Sequence, residues 1–401
     1  MAGDVVVTGL GAVTPLGTTA DESWDALMAT ESGAGPITRF DPADANCRSH
    51  IACEATLPDE TPVESDRVGR YAELAVTAAD EAIADAGFDP ADPDWVSAQV
   101  GTSIASSIGG LPEVEDTIED RVSPRFVVRY LSNLASSQVS IVFGAEGPNR
   151  AASTACAAGV HAMADAMREV RRGTADVMLA GGSESILSPH GIRGFDAMRA
   201  LSTRNDQPER ASRPFDADRD GFVIAEGAAV LVLESRAHAE NRGVTPIATV
   251  EGAGRSADGV HPTRPPDDAD GLVRCIERAL TDADVDPGAV DHVNAHATST
   301  PRGDQHEATA LNRVFDECPP VTGTKSLTGH TLGASGAIES VFTAQTLRDG
   351  RLPPTANHET PDPDCDVPVV TEPQTADVDV ALNVAAGFGG TNGAVVFTGA
   401  K

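Results

Sequence analysis

The stretch that decides the fold is PIATVEGAG (246–254), a β-branched run closing on two glycines. It repeats the pattern of the chain's opening, DVVVTGLG (4–11), where residues 4–8 read as a buried strand ending at Gly9 and Gly11. Working outward, the two copies carry the same succession. A long alanine-rich helix over 71–86, stopped by Gly87, answers to a helical pattern over 271–284. A strand at 96–100 answers to one at 290–294, and a helix over 157–172 to a glycine turn and helix over 326–348. Further apolar strands fall at 176–180, 228–233 and 394–397. Alternating strands and helices imply an α/β protein with buried sheets. The spacing predicts two similar halves, 1–240 and 241–401, sharing one core. The first carries the larger insertion, 183–226, expected to be mostly loop.

Composition narrows the function. The 401 residues hold 61 acidic against 29 basic side chains, a net charge of −32. That balance excludes nucleic acid and anionic membrane as main partners, since both select a basic face. Lysine occurs only at Lys325 and Lys401, so arginine supplies the other bases. Acid excess with lysine loss points to the highly solvated surface of proteins from a very salty cytoplasm. No apolar run approaches the roughly 20 residues of a spanning helix, and the first residues show no targeting pattern. Cys47, Cys53, Cys156, Cys275, Cys318 and Cys365 form no CxxC pair, which suits a reduced, cytoplasmic enzyme rather than a disulfide framework or zinc site.

Four segments carry chemistry. In ASTACAAGVHAMADAMREV (152–170), Cys156 stands at the start of a helix, where the dipole and free N–H groups favour a thiolate; a cysteine among alanines is otherwise a small buried hydrophobe. In VNAHATSTPRGDQHEA (293–308), His296 follows a strand end in a small-residue loop, placed for a cleft or for packing. His292 reads as a packing or capping group, and His306 lies nearby. In GTKSLTGHTLGASGAIES (323–340), Lys325 is the one internal lysine of the chain, which implies a need for a compact ammonium that guanidinium does not meet, and His330 lies just before a helix. AAGFGGTNGAVVF (385–397) is a glycine loop leading into a strand, built for close backbone approach.

Together these segments resemble the condensing enzymes of fatty-acid and polyketide synthesis, the type II β-ketoacyl–acyl carrier protein synthases of the thiolase superfamily. The resemblance runs in order from VVVTGLGAVTPLG (5–17) through RALSTRND (199–206) and SRPFDADRDGF (212–222) to GFGGTN (387–392), over essentially the whole chain. It implies a five-layered αβαβα fold of two duplicated halves, normally a homodimer. It also implies decarboxylative condensation of an acyl with a malonyl thioester through an acyl-cysteine, without a cofactor, the substrates being carried by acyl carrier protein or coenzyme A. By the same resemblance Cys156 is the nucleophile and His296 and His330 are the catalytic histidines. Lys325 and Glu339 form an ion pair that orients His330, and Phe388 gates the oxyanion hole. Ile108, Thr298, Thr300, Ala386 and Gly389 contact substrate, and Asp304 and Glu307 are structural acids. Asn294 and Asn392 flank the monovalent-cation site of some relatives. Arg67, Arg70, Arg125, Arg129 and Arg199 are candidates for carrier docking.

Two departures bear on the pocket. Ala297 replaces the glycine that usually follows the first histidine, and Ala386 replaces one of two aromatic residues near Phe388. Two other readings stay open. A thiolase would need a second cysteine as acid–base, for which none of the other five has a matching motif. A non-catalytic chain-length partner would lack Cys156.

Overall fold

The computed structural model describes residues 4–91, 95, 99–119 and 122–400. In chain order its elements are β1 (Val5–Val13), α1 (Ala20–Met28), β2 (Ala34–Pro36), β3 (Ile51–Cys53), α2 (Arg70–Asp85), β4 (Val100–Ala105), α3 (Leu111–Glu119), α4 (Phe126–Tyr130), α5 (Leu134–Phe143), β5 (Asn149–Arg150), α6 (Ala158–Arg171), β6 (Val177–Glu184), α7 (Pro189–Ala197), β7 (Gly227–Ser235) and α8 (Arg236–Arg242). There follow β8 (Ala248–Ala257), α9 (Asp270–Ala283), β9 (His292–Asn294), α10 (Pro301–Val314), β10 (Val321–Thr322), α11 (Lys325–Thr328), α12 (Ser335–Asp349), β11 (Arg351–Leu352), β12 (Gln374–Thr375), β13 (Val380–Gly387) and β14 (Thr391–Gly399).

The main sheet runs β10-β9-β13-β14-β8-β1-β7-β6-β4-β5. Read outward from its middle, β1-β7-β6-β4-β5 and β8-β14-β13-β9-β10 have the same order. Each set begins with two antiparallel pairings and ends with two parallel ones. The sets meet only at Val6–Thr249 and Val7–Ala248. Beyond that seam β1 loses its strand neighbour, and α2 replaces it: Asp85 accepts the Leu10 N–H and Glu81 those of Ala12 and Ala20. This satisfies buried donors that would otherwise stay unpaired.

Helix α2 covers the outer face of the first set and α9 that of the second, each over its own apolar cluster. Between the sets lie α6 and α12. All residues of α12 from Ser335 to Thr346 are buried, so over that span it presents no face to solvent. The five layers expected from the resemblance are therefore present.

The strands differ from the sequence reading in one instructive way. β1 does not end at Gly9 but runs through Gly9 and Gly11 to Val13. The glycines are there for approach, not turning. A Cβ on Gly9 would sit 2.2 Å from the Ala82 carbonyl oxygen of α2, and one on Gly254 1.9 Å from that of Cys275 on α9. A second close approach governs the site: α6 and α12 cross where a Cβ on Gly159 would lie 2.7 Å from the Ala337 nitrogen. That crossing brings the N-terminal ends of the two central helices together. The strand expected at 96–100 starts at Val100 and continues to Ala105; residues 96–98 lie outside the described residues. The 183–226 insertion contains α7 and is otherwise mostly loop, much of it buried.

Candidate active site

Cys156 occupies a single 3-10 turn, Ala155–Ala157, that feeds α6. Ala155 is held at φ +50°, so the sulfur is presented from a strained bend. On the neighbouring central helix, His330 lies just ahead of α12. Its Nε2 is 3.2 Å from Cys156 Sγ, and its Nδ1 is 2.9 Å from Ser335 Oγ, which in turn meets Thr331 Oγ1 at 3.0 Å. Phe222, from the insertion, packs edge-on against the His330 ring.

His296 arrives from the other side, past the end of β9. Glu307 on α10 accepts both the His296 and Ala297 backbone N–H groups, at 2.6 and 2.7 Å. This clamp holds Ala297 at φ +39°, a conformation that ordinarily favours glycine. Lys325 is wholly buried. Its ammonium donates to Glu339 and to the His296 carbonyl (2.6 Å), and lies 3.4 Å from His296 Nδ1. An ammonium has no lone pair to offer, so Nδ1 is the acceptor and Nε2 carries the ring proton. The ion pair thus orients His296, not His330 as the sequence suggested. One donor or acceptor atom from each of Cys156, His296 and His330 lies within 4.8 Å of the others.

Burial sets the protonation of this cluster. It pushes the Cys156 thiol up to about 12, against the pull of Lys325 and of the Phe388 backbone N–H. It holds both imidazoles well below the usual histidine range, with Lys325 adding to the effect. Glu307 and Glu339 are each raised to about 7 by burial, opposed at Glu307 by its backbone hydrogen bonds and at Glu339 by Lys325. The resting site is a thiol beside two neutral imidazoles. A cysteine and two histidines also make a soft-metal donor set, but the Lys325 ammonium against His296 opposes a cation there.

The expected monovalent-cation site is rearranged. Asn294 and Asn383 face each other across β9 and β13, and Asn294 Nδ2 donates to the Glu339 carbonyl. Asn294 Oδ1, Asn383 Oδ1 and Glu339 Oε2 are buried without a hydrogen-bond partner among the described residues. Asn392 is elsewhere, donating to Ser256 and Asp258. Oxygen donors that could hold a monovalent cation therefore come from Asn294, Asn383 and Glu339. Asn383 was legible as an amide inside the apolar run LNVAA (382–386).

The three reactive groups open into a cavity of about 530 Å³, walled by Phe195, Phe222, Leu332, Ala386 and Phe388 among others. Thr298 and Thr300 line it; Gly389 and Ile108 do not. Gly389 is a turn residue of the β13–β14 hairpin at φ +85°, its N–H donated to the Pro262 carbonyl. Asp304 is structural, taking the Phe215 N–H and facing Arg219. Of the docking candidates, Arg67 pairs with Glu64 and Arg125 with Asp66, while Arg129 donates to the Val68 carbonyl near Glu113. Arg70 is locked onto buried Glu226 and the Ala55 carbonyl, so it is a structural cation. Arg199 alone of the five has no side-chain partner among the described residues and is exposed at the cavity mouth.

Residues 2–239 match the model of the beta-ketoacyl synthase N-terminal domain, and 247–359 that of its C-terminal domain. Over 411 residues, 98% of each chain, the protein is 41% identical to a 3-oxoacyl-[acyl-carrier-protein] synthase 2 from Coxiella burnetii. The Synechocystis protein of that name is 42% identical over 98% of this chain and 97% of its own. Among solved structures, a beta-ketoacyl synthase from Burkholderia phymatum superposes with TM-score 0.91 at 34% identity, covering all of both chains. A type II polyketide ketosynthase solved with its acyl-carrier protein also gives TM-score 0.91, at 33% identity over all of both chains.

Proposed function

From the premise that this chain belongs to the beta-ketoacyl synthase family, we propose the following course for its decarboxylative condensation, in which an acyl thioester and a malonyl thioester give a 3-oxoacyl thioester and CO2. The observation that carries it is Cys156 Sγ set against two neutral imidazoles in one cavity. Among the described residues Cys156 is the one cysteine on the cavity wall, which disfavours a thiolase-type acid–base cysteine.

In the first half-reaction the Cys156 thiol gives its proton to His330 Nε2, 3.2 Å away, as sulfur attacks the acyl carbonyl. The oxyanion is met by the backbone N–H groups of Cys156 and Phe388, each such donor being worth about 2.7–4 kcal/mol. The tetrahedral adduct expels the carrier thiolate, which takes the proton from His330. In the second half-reaction the malonyl carbon–carboxylate bond breaks and its electron pair becomes an enolate. Two N–H donors stabilise the enolate oxygen. His296 offers Nε2–H by default, because Lys325 occupies the other side of its ring. His330 offers Nε2–H when Nδ1 accepts from Ser335, a switch the Ser335–Thr331 hydroxyl pair permits. The enolate carbon attacks the acyl-cysteine, the 3-oxoacyl product leaves, and the Cys156 thiolate takes up one proton from solvent. A monovalent cation, where present, would be held by Asn294, Asn383 and Glu339 and would add fixed positive charge to the site.

The acyl groups arrive on a carrier's pantetheine arm, as the names of the relatives support. A second copy of the chain covers the exposed apolar side chains of Val127, Val128, Leu131 and Ile141, beside the sheet-edge strand β5; light scattering reporting a monomer would overturn that. For the chemistry, intact-protein mass after exposure to acyl thioester should show one added acyl group, lost in Cys156→Ala. Cys156→Gln should keep releasing CO2 from malonyl thioester, and silence in both assays would refute the reading.

A further inference from the structure

The mouth of the cavity is charged against the trend of the molecule. In a chain of net charge −32, most described arginines are paired with carboxylates, yet Arg199, Arg264 and Arg302 line this mouth with no partner for their side chains among the described residues. All three residues are exposed. They come from three separate parts of the chain. Arg199 follows α7 with φ +56°, held there through its N–H on the Asp196 carbonyl. Arg264 sits in the loop His261–Pro266. That loop is stiffened by three prolines and by His261 Nδ1, which accepts the Thr263 and Arg264 N–H groups, and it is tied to the β13–β14 hairpin through Gly389. Arg302 lies in the first turn of α10, whose Thr300 cap and positive dipole end face the same mouth. The acids on this wall are already used: Asp258 by Asn392, and Glu307 by the His296 and Ala297 N–H groups.

We propose that Arg199, Arg264 and Arg302 form a phosphate site at the cavity mouth that holds the phosphate at the end of the substrate's pantetheine arm. The inference rests on the condensing reaction proposed above and says how its substrates are grasped. Three guanidiniums at one mouth with no carboxylate of their own among the described residues leave their hydrogen-bonding forks open to an anion, and those forks suit phosphate oxygens. Of the docking candidates read from the sequence, the other four, Arg67, Arg70, Arg125 and Arg129, are taken up by the protein's own acceptors. The arm's phosphate is common to a carrier protein and to coenzyme A, so the site recognises that group from either source.

The test compares malonyl thioesters of pantetheine, 4′-phosphopantetheine, coenzyme A and a holo-carrier protein, with wild type and the Arg264→Ala/Arg302→Ala variant. Both side chains are exposed, so the fold is retained, and the thermal midpoint checks this. Wild type should show a KM for the phosphopantetheine substrate about tenfold or more below that for pantetheine, the scale of a charge-assisted contact. The variant should erase that difference with kcat little changed, and Arg302→Lys should restore part of it. A comparable loss with carrier protein would place the protein-borne phosphate in the site; a loss confined to coenzyme A would give the site to nucleotide phosphates. Equal wild-type KM values for pantetheine and phosphopantetheine, or a variant that weakens both equally, would overturn the proposal. If no substrate is condensed at all, the reaction itself is wrong, and calorimetric binding of coenzyme A to wild type and variant still tests the phosphate site.

Discussion

Replacing Lys325 by methionine separates what the buried ion pair does for stability from what it does for catalysis. Lys325 is 1% exposed and Glu339 2%. Removing the ammonium strands the Glu339 carboxyl, already pushed up to about 7 by burial, and a broken buried pair typically costs about 3–5 kcal/mol. Removing both partners, as Lys325→Met/Glu339→Leu, fills the space with apolar groups and should return most of that stability. Catalysis should not return with it. Without the ammonium at Nδ1, the His296 proton is free to sit on either nitrogen, and the enolate loses a fixed donor. A whole donor of that kind is worth about 2.7–4 kcal/mol, which sets the ceiling: malonyl decarboxylation should fall in the double variant, by at most about 10²–10³-fold. Acyl transfer to Cys156 should fall less, because His330 keeps its contacts with Cys156 and Ser335. The assay pairs a denaturation midpoint with CO2 release and intact mass. A double variant that is stable and decarboxylates at the wild-type rate would refute the assignment of Lys325 to His296.

Other expectations follow from the same geometry. With its thiol raised to about 12, Cys156 should be alkylated by iodoacetamide at a rate still climbing through pH 9; a plateau below pH 8 would mean a resting thiolate. Gly254→Ala places a methyl 1.9 Å from a backbone oxygen of α9, beyond the usual 1–3 kcal/mol of overpacking, and an unchanged denaturation midpoint would contradict the close packing described. Ala386→Phe adds a ring to the cavity wall and should shorten the longest acyl group accepted, as read from competing acyl donors by mass; the same longest acyl group in wild type and variant would contradict Ala386's place on the wall.

The sequence made the reactive residues legible because each sits where local pattern changes: Cys156 at a helix start, His296 past a strand end, Lys325 as the lone internal lysine. The duplicated order of elements was legible too, since strand and helix periods repeat. What was not legible is tertiary. Lys325 precedes His330 by one short helix, α11, yet its side chain crosses to His296 at the end of β9, a contact no spacing encodes. Arg70 looks like any exposed helix-start arginine until Glu226, far along the chain, takes it up. Asn392 was grouped with Asn294 by motif, whereas the register of β9 on β13 gives that place to Asn383. Gly9 and Gly11 look like a turn because glycine serves two purposes, and only a neighbouring helix reveals which.

The glycine crossing of α6 and α12 has a consequence for how the protein comes to life at the ribosome. Cys156 and His330 are 174 residues apart, and at usual elongation rates the cysteine is synthesised about 9–35 s before its partner histidine. Throughout that interval the nascent chain lacks His330 to take the thiol proton and Phe388 to complete the oxyanion hole. It is thereby shielded from premature acylation. Competence arrives only when α12 docks, and the molecule carries its own reporter of that moment, since Trp24 packs against Phe342 of α12 with ring centroids 6.3 Å apart. In refolding, acylation of Cys156 should appear with the Trp24 signal and never ahead of it; acylation preceding that signal would mean that the first half activates its cysteine unaided.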